Sequence, residues 1–202
     1  MVILPLLHIL ENLVSASSET LRLIELTAAR LRQDHHADMA TIRSRTDRRG
    51  KCHSDFISAA WGSDVAPSSL DDLMKLLPGL PDGVDVDLSG LPPGCTFPPQ
   101  IGRIVLNVLL LAARSMPSGG DVLLAGSVDD LFLRMEGADA AWPAGMGACI
   151  SDEKAAQAAI TAGGSTLMAL TALLAHASRV RLSFLLSPGA ASGPPILRLG
   201  GG

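Results

Sequence analysis

Apolar residues recur at spacings of three and four at Leu6, Leu10, Leu13, Ser17, Leu21, Ile24, Ala28 and Leu31, which predicts one seam of a long amphipathic helix. His8, Glu11, Ser15, Ser18, Arg22 and Glu25 follow the opposite face at the same spacing. The short break QDHHAD, 33–38, predicts that the next helix returns antiparallel. That second helix is expected from about Ala37 to Trp61, with Met39, Ile42, Thr46, Phe56, Ile57 and Ala60 on a weaker apolar face. Gly50 costs it about 1 kcal/mol against Ala. A hairpin of two such helices leaves its seam uncovered, so two hairpins are expected to form a four-helix bundle in a homodimer.

The pattern changes after Trp61-Gly62. Ser68 or Ser69 is an N-cap candidate, with Asp71 and Asp72 in the first turn of a helix. VDVDL alternates like a strand, and IGRIVLNVLLLAARSM, 101–116, is apolar almost all round and predicts a buried helix. DVLLAGS and LFLRMEG predict a strand pair, Ser151 to Gly164 a short helix, STLMALTALLAHAS another helix, and VRLSFLLSP a strand. This mixed order predicts an α+β chain: a helical hairpin over 1–64, then an α/β sandwich over 65–202 with helices on one face of a sheet.

Composition narrows the choice of function. Of 202 residues 48% are apolar and only 3% aromatic, with no Tyr, so the core is aliphatic and no base-stacking platform is available. A net charge of −4 gives no pull toward nucleic acid or anionic lipid, and neither is expected as a partner. Cys52, Cys95 and Cys149 lack CxxC spacing and fit reduced thiols in a cytoplasmic protein. The start, MVILPLLHIL, has no basic segment, and Glu11 and Asn12 interrupt it, so neither a signal peptide nor a membrane span is expected.

RIVLNVLLLAARSMPSGGDVLLAG, 103–126, resembles the helix–PxGG–strand segment of the ChpT-type histidine phosphotransferases. AAWG with SSLDDLMKLL, and TLMALTALLAHASRVRLSFLL, are similar to that family's hairpin end, linking helix, last helix and last strand. The resemblance implies a dimerising helical hairpin followed by a degenerate Bergerat-type, histidine-kinase ATPase-like domain. It implies a place in a two-component phosphorelay, with a response regulator receiver domain as partner.

The departures from that pattern shape the functional expectation. Asn107 is present, but Leu111 stands where the resemblance would put a metal-binding Asn, and EGADAAWPAG contains no D-x-G-x-G. Phosphates and Mg²⁺ would lack compensating ligands, so no cofactor, no metal, and no ATPase or kinase activity are expected. Matching LLHILENLVSASS to the family's first helix places Glu11 at the phosphoacceptor His and Asn12 at its Asp partner. An imidazole oriented by a carboxylate is what suits reversible phosphoryl transfer, and this pair lacks it. No catalytic residue is therefore assigned, and His8, one turn earlier, is the fallback phosphoacceptor.

The expected partner-binding residues are His8, Glu11, Asn12 and Ser15, with Arg45, Arg48 and Arg49 from the basic run 43–51 facing an acidic receiver pocket. His35 and His36 are expected to cap a loop, His53 to be partly exposed, and His176 to end a helix. Asn107 is expected to be a buried hydrogen-bonded residue and PSGG, 117–120, a strand connection. The expected function is receiver binding that sequesters or scaffolds. The alternatives are an active phosphotransferase using His8 and a nucleotide or small-ligand sensor.

Overall fold

A computed structural model describes residues 47–62, 66–185 and 193–201. The first helix, the QDHHAD break and the start of the second helix lie outside the described residues, and so do His8, Glu11, Asn12, Ser15, His35, His36 and Arg45.

Chain order is α1 (Asp47–Trp61), α2 (Leu70–Leu76), a 3-10 turn (Leu77–Gly79), β1 (Val84–Gly90), α3 (Pro99–Arg114), β2 (Gly120–Ser127) and β3 (Asp130–Glu136). There follow α4 (Met146–Ser151), α5 (Glu153–Thr161), α6 (Thr166–Ala177), β4 (Val180–Leu185) and β5 (Ile196–Gly201). The five strands form one mixed sheet, ordered β1-β2-β3-β5-β4. β1 and β2 run parallel, joined through α3, and the other neighbours are antiparallel.

Alternation in the strands decides which face is covered. Val122, Leu124, Leu131, Leu133, Met135, Leu197, Leu199, Val180 and Leu182 are buried on one face, in a single cluster with residues of α3 and α6. Between them Asp121, Arg134, Arg181 and Arg198 reach the solvent-facing side. There Asp130 takes two bonds from Arg198, at 2.6 and 3.1 Å, and the guanidinium lies 6.0 Å from the Phe132 ring centre. One face dry and one face wet is the usual solution for a largely antiparallel sheet.

Ser69 caps α2: its hydroxyl accepts from the Asp72 backbone N–H at 3.2 Å and donates to the Asp72 carboxylate at 2.8 Å. α3 buries twelve of its residues, including an unbroken run from Ile104 to Ala113, as its all-round apolar sequence requires. α1 ends at Trp61. Phe56, Ala59, Ala60 and Trp61 enter the same core as Leu73 and Ile104. Two elements are additional to the sequence reading, namely α4 and β5. β5 lies between β3 and β4, so it joins its sequence neighbour β4 to β3, which is remote in the chain.

Candidate functional site

α3 is packed into the core on nearly every side. Leu111 is 2% exposed and belongs to the core cluster. Among the described residues, the buried polar side chains are Asn107, Ser115 and Thr171. Each donates to backbone. Asn107 Nδ2 reaches the carbonyls of Arg103 at 2.9 Å and Ala60 at 3.3 Å. Ser115 Oγ reaches Leu111 O and Thr171 Oγ1 reaches Leu167 O, both at 2.7 Å. Asn107 is thus a buried tie between α1 and α3, as its setting in an apolar helix suggested. Burial also lowers the Arg103 guanidinium from its usual range.

The segment after β3 is fastened down on both sides. Ser118 Oγ donates to Asp139 Oδ2 at 2.6 Å, and Ala141 N donates to Ser115 O at 3.2 Å. The Trp142 indole N–H donates to Pro195 O at 2.8 Å, and its ring lies 5.9 Å from that of Phe184. α4 and α5 then lie against α6, burying Met146, Cys149, Ile150 and Ala156. His176, in the last turn of α6, donates from Nε2 to Cys149 O at 2.8 Å.

The PSGG turn is a strand connection. Gly119 has φ +81°, and a Cβ there would sit 2.4 Å from Gly83 O. A Cβ on Gly120 would sit 2.2 Å from Glu136 O. The glycines therefore let three strand ends meet, and Gly120 N donates to Gly83 O at 2.9 Å. The Asp139 carboxylate on Ser118 makes the turn unfavourable for an anion.

The cysteines are free. Desolvation pushes the Cys95 and Cys149 thiols above their ordinary range, so both stay protonated at neutral pH. Among the described residues no group of three His, Cys, Asp or Glu side chains is placed to hold a metal ion. No described helix is long and apolar enough to cross a membrane.

Of the expected docking residues, Arg48 and Arg49 lie in the first turn of α1. Arg49 pairs with Asp82, in the turn before β1, and both side chains are exposed. Asp82 was not legible as a partner, because i±4 spacing on a helix cannot reach it. His53 lies one turn further along the same side of α1, where Nδ1 donates to Gly79 O at 2.6 Å, and it is partly buried.

No protein-family model and no curated protein matches the chain. Among solved structures, a bacterial phosphotransferase is similar with a TM-score of 0.54 and 17% identity, over 90% of this chain and 92% of that one. The cytoplasmic segment of the histidine kinase QseC gives a TM-score of 0.41 and 18% identity, over 93% of this chain and 96% of that one. The chain shares its fold with that bacterial phosphotransferase.

Proposed function

We propose that this protein is a non-catalytic histidine-phosphotransferase-like component of a two-component phosphorelay, cytoplasmic and homodimeric. In this reading residues 1–64 form the dimerising hairpin and 65–202 a degenerate histidine-kinase ATPase-like domain. The dimer binds a response regulator receiver domain through His8, Glu11, Asn12, Ser15, Arg45, Arg48 and Arg49, and so sequesters or scaffolds it. The observation that carries the reading is a phosphotransferase fold combined with Glu11 and Asn12 where the resemblance puts the phosphoacceptor pair. Burial of Leu111 and the backbone-bonded state of Asn107 and Thr171 weigh against nucleotide sensing through α3.

Incubation with a receiver domain carrying an aspartyl phosphate tests it. The native protein should bind the receiver and take no phosphoryl group. Glu11→His with Asn12→Asp should accept some, as the acyl phosphate P–O bond breaks and a P–N bond to imidazole forms. Transfer is expected to be slow, because a misplacement of about 1 Å can cost about 10²-fold. Phosphorylation of the native protein that disappears in His8→Ala would establish the enzyme instead. A native protein that binds no receiver domain would remove both readings.

A further inference from the structure

We infer that α1 and the α/β layer form one rigid body, tied by Asn107, so that the helical arm is held at a fixed angle to the sheet. The inference concerns the motion of the chain and stands apart from the identity of any partner.

Three kinds of contact converge on α1. The first is burial: Phe56 is 0% exposed and Ala60 2%, both within the cluster that also contains Leu73, Ile104 and Leu106. The second is close approach of backbone. A Cβ on Gly79 would lie 2.4 Å from Cys52 O and 2.6 Å from the Phe56 Cβ, so only glycine lets the 3-10 turn touch the helix. A Cβ on Gly102 would lie 2.3 Å from Pro67 O, which presses α3 onto the segment that follows α1 in the same way.

The third is directional. The last four carbonyls of a helix have no partner within it. In α1 the Ser58 carbonyl takes the N–H of Gly62 at 2.6 Å, and the Ala60 carbonyl takes Asn107 Nδ2 from the middle of α3. Asn107 therefore ends α1 from another element, and it does so while 0% exposed. Its Nδ2 serves two carbonyls and its Oδ1 finds no protein partner. An amide is kept in an aliphatic helix at that cost because its donors close the joint. Further along, His53 supplies Gly79 O. A swing of α1 away from the layer would wet Phe56 and Ala60 and strip both carbonyls of their donors. No intermediate position keeps part of this set, because close-packed contacts are lost within a fraction of an ångström. A partner seated on the arm consequently meets the same α/β surface in every encounter.

Amide hydrogen exchange on the full-length protein tests this. The amides of residues 56–61 should be protected within about tenfold of those of residues 104–111, as members of one cooperative unit. Asn107→Leu, close in volume, should speed exchange at residues 58–62 by about tenfold or more and leave β2 and β3 unchanged. Residues 56–61 exchanging about a thousandfold faster than α3 in the native protein would overturn the rigid joint. An equal loss of protection in every element of Asn107→Leu would remove Asn107 as the tie. Should Asn107→Leu fail to fold, Gly79→Ala carries the test: it should speed exchange at residues 52–57 selectively, and unchanged or uniformly raised exchange would count against the joint.

Discussion

His176 Nε2 donates to the carbonyl of Cys149 at 2.8 Å, which pins the last turn of α6 to α4. A carbonyl only accepts, so the ring proton is on Nε2. This bond, with the burial of Met146, Cys149 and Ile150, holds α4 against α6.

Mg-ATP should bind no more tightly than about 1 mM, about −4 kcal/mol. Calorimetric titration checks this, and micromolar affinity would contradict it. Leu111→Asn restores the side chain that the resemblance puts at that position, yet it should not restore binding. Leu111 is 2% exposed, so the change should cost about 3 kcal/mol or more in denaturant unfolding, from lost packing and a buried amide.

The proposed dimer rests on the apolar spacing from Leu6 to Leu31. Phe56, Ala59 and Ala60 are already in the core with Leu73 and Ile104, so the proposed bundle would draw on positions earlier in the chain. Light scattering should give twice the chain mass. Leu10→Glu with Ile24→Glu should give monomers or insoluble protein. A monodisperse native monomer would end the bundle model.

Arg49 shares its charge with Asp82, and an exposed pair of this kind is worth about 0–1 kcal/mol. A receiver's acidic pocket can therefore compete for it. Reversing Arg45 and Arg49 together should slow association with a cognate receiver and flatten its salt dependence, measured by stopped flow. Asp82→Asn should speed association. Rates indifferent to all three changes would move the interface elsewhere.

The Ser69 hydroxyl holds the Asp72 carboxyl below the usual range, with Lys75 and then Ser68 adding to it. A depressed folded value means that the contribution is complete above the ordinary carboxylate range and is lost as pH falls toward the folded value. Asp87, bonded by Ser89, behaves likewise. Ser69→Ala should raise the Asp72 titration midpoint toward its ordinary value in an NMR titration and leave Asp87 unmoved. Loss of the cap itself should cost about 1 kcal/mol.

The sequence by itself determined which segments are buried and where several elements begin and end. Ser69 announces α2, Trp61-Gly62 closes α1, and the apolar run around Asn107 declares α3 to be interior. Strand alternation at Leu131, Leu133 and Met135 marked a sheet with one dry face. These are local properties, written in capping chemistry and in periods of 3.6 and 2. The reading of Glu11, Asn12 and Leu111 as departures rests on the resemblance alone, which compares residue identities at matched positions.

Tertiary structure decided what each buried face meets. Phe56 and Ala60 carry the same apolar signal whether they line a hairpin or an α/β core, and only packing assigns them to the core. The run ILRLGG, ending in glycines, offers little local strand signal. It becomes β5 because β3 and β4 supply hydrogen bonds on both its edges. Asp82 finds Arg49, and Asn107 finds the Ala60 carbonyl, across distances in sequence that no helical or strand period spans. Periodicity encodes that a side chain leaves water, and the partner it then finds is fixed by how the elements close on one another.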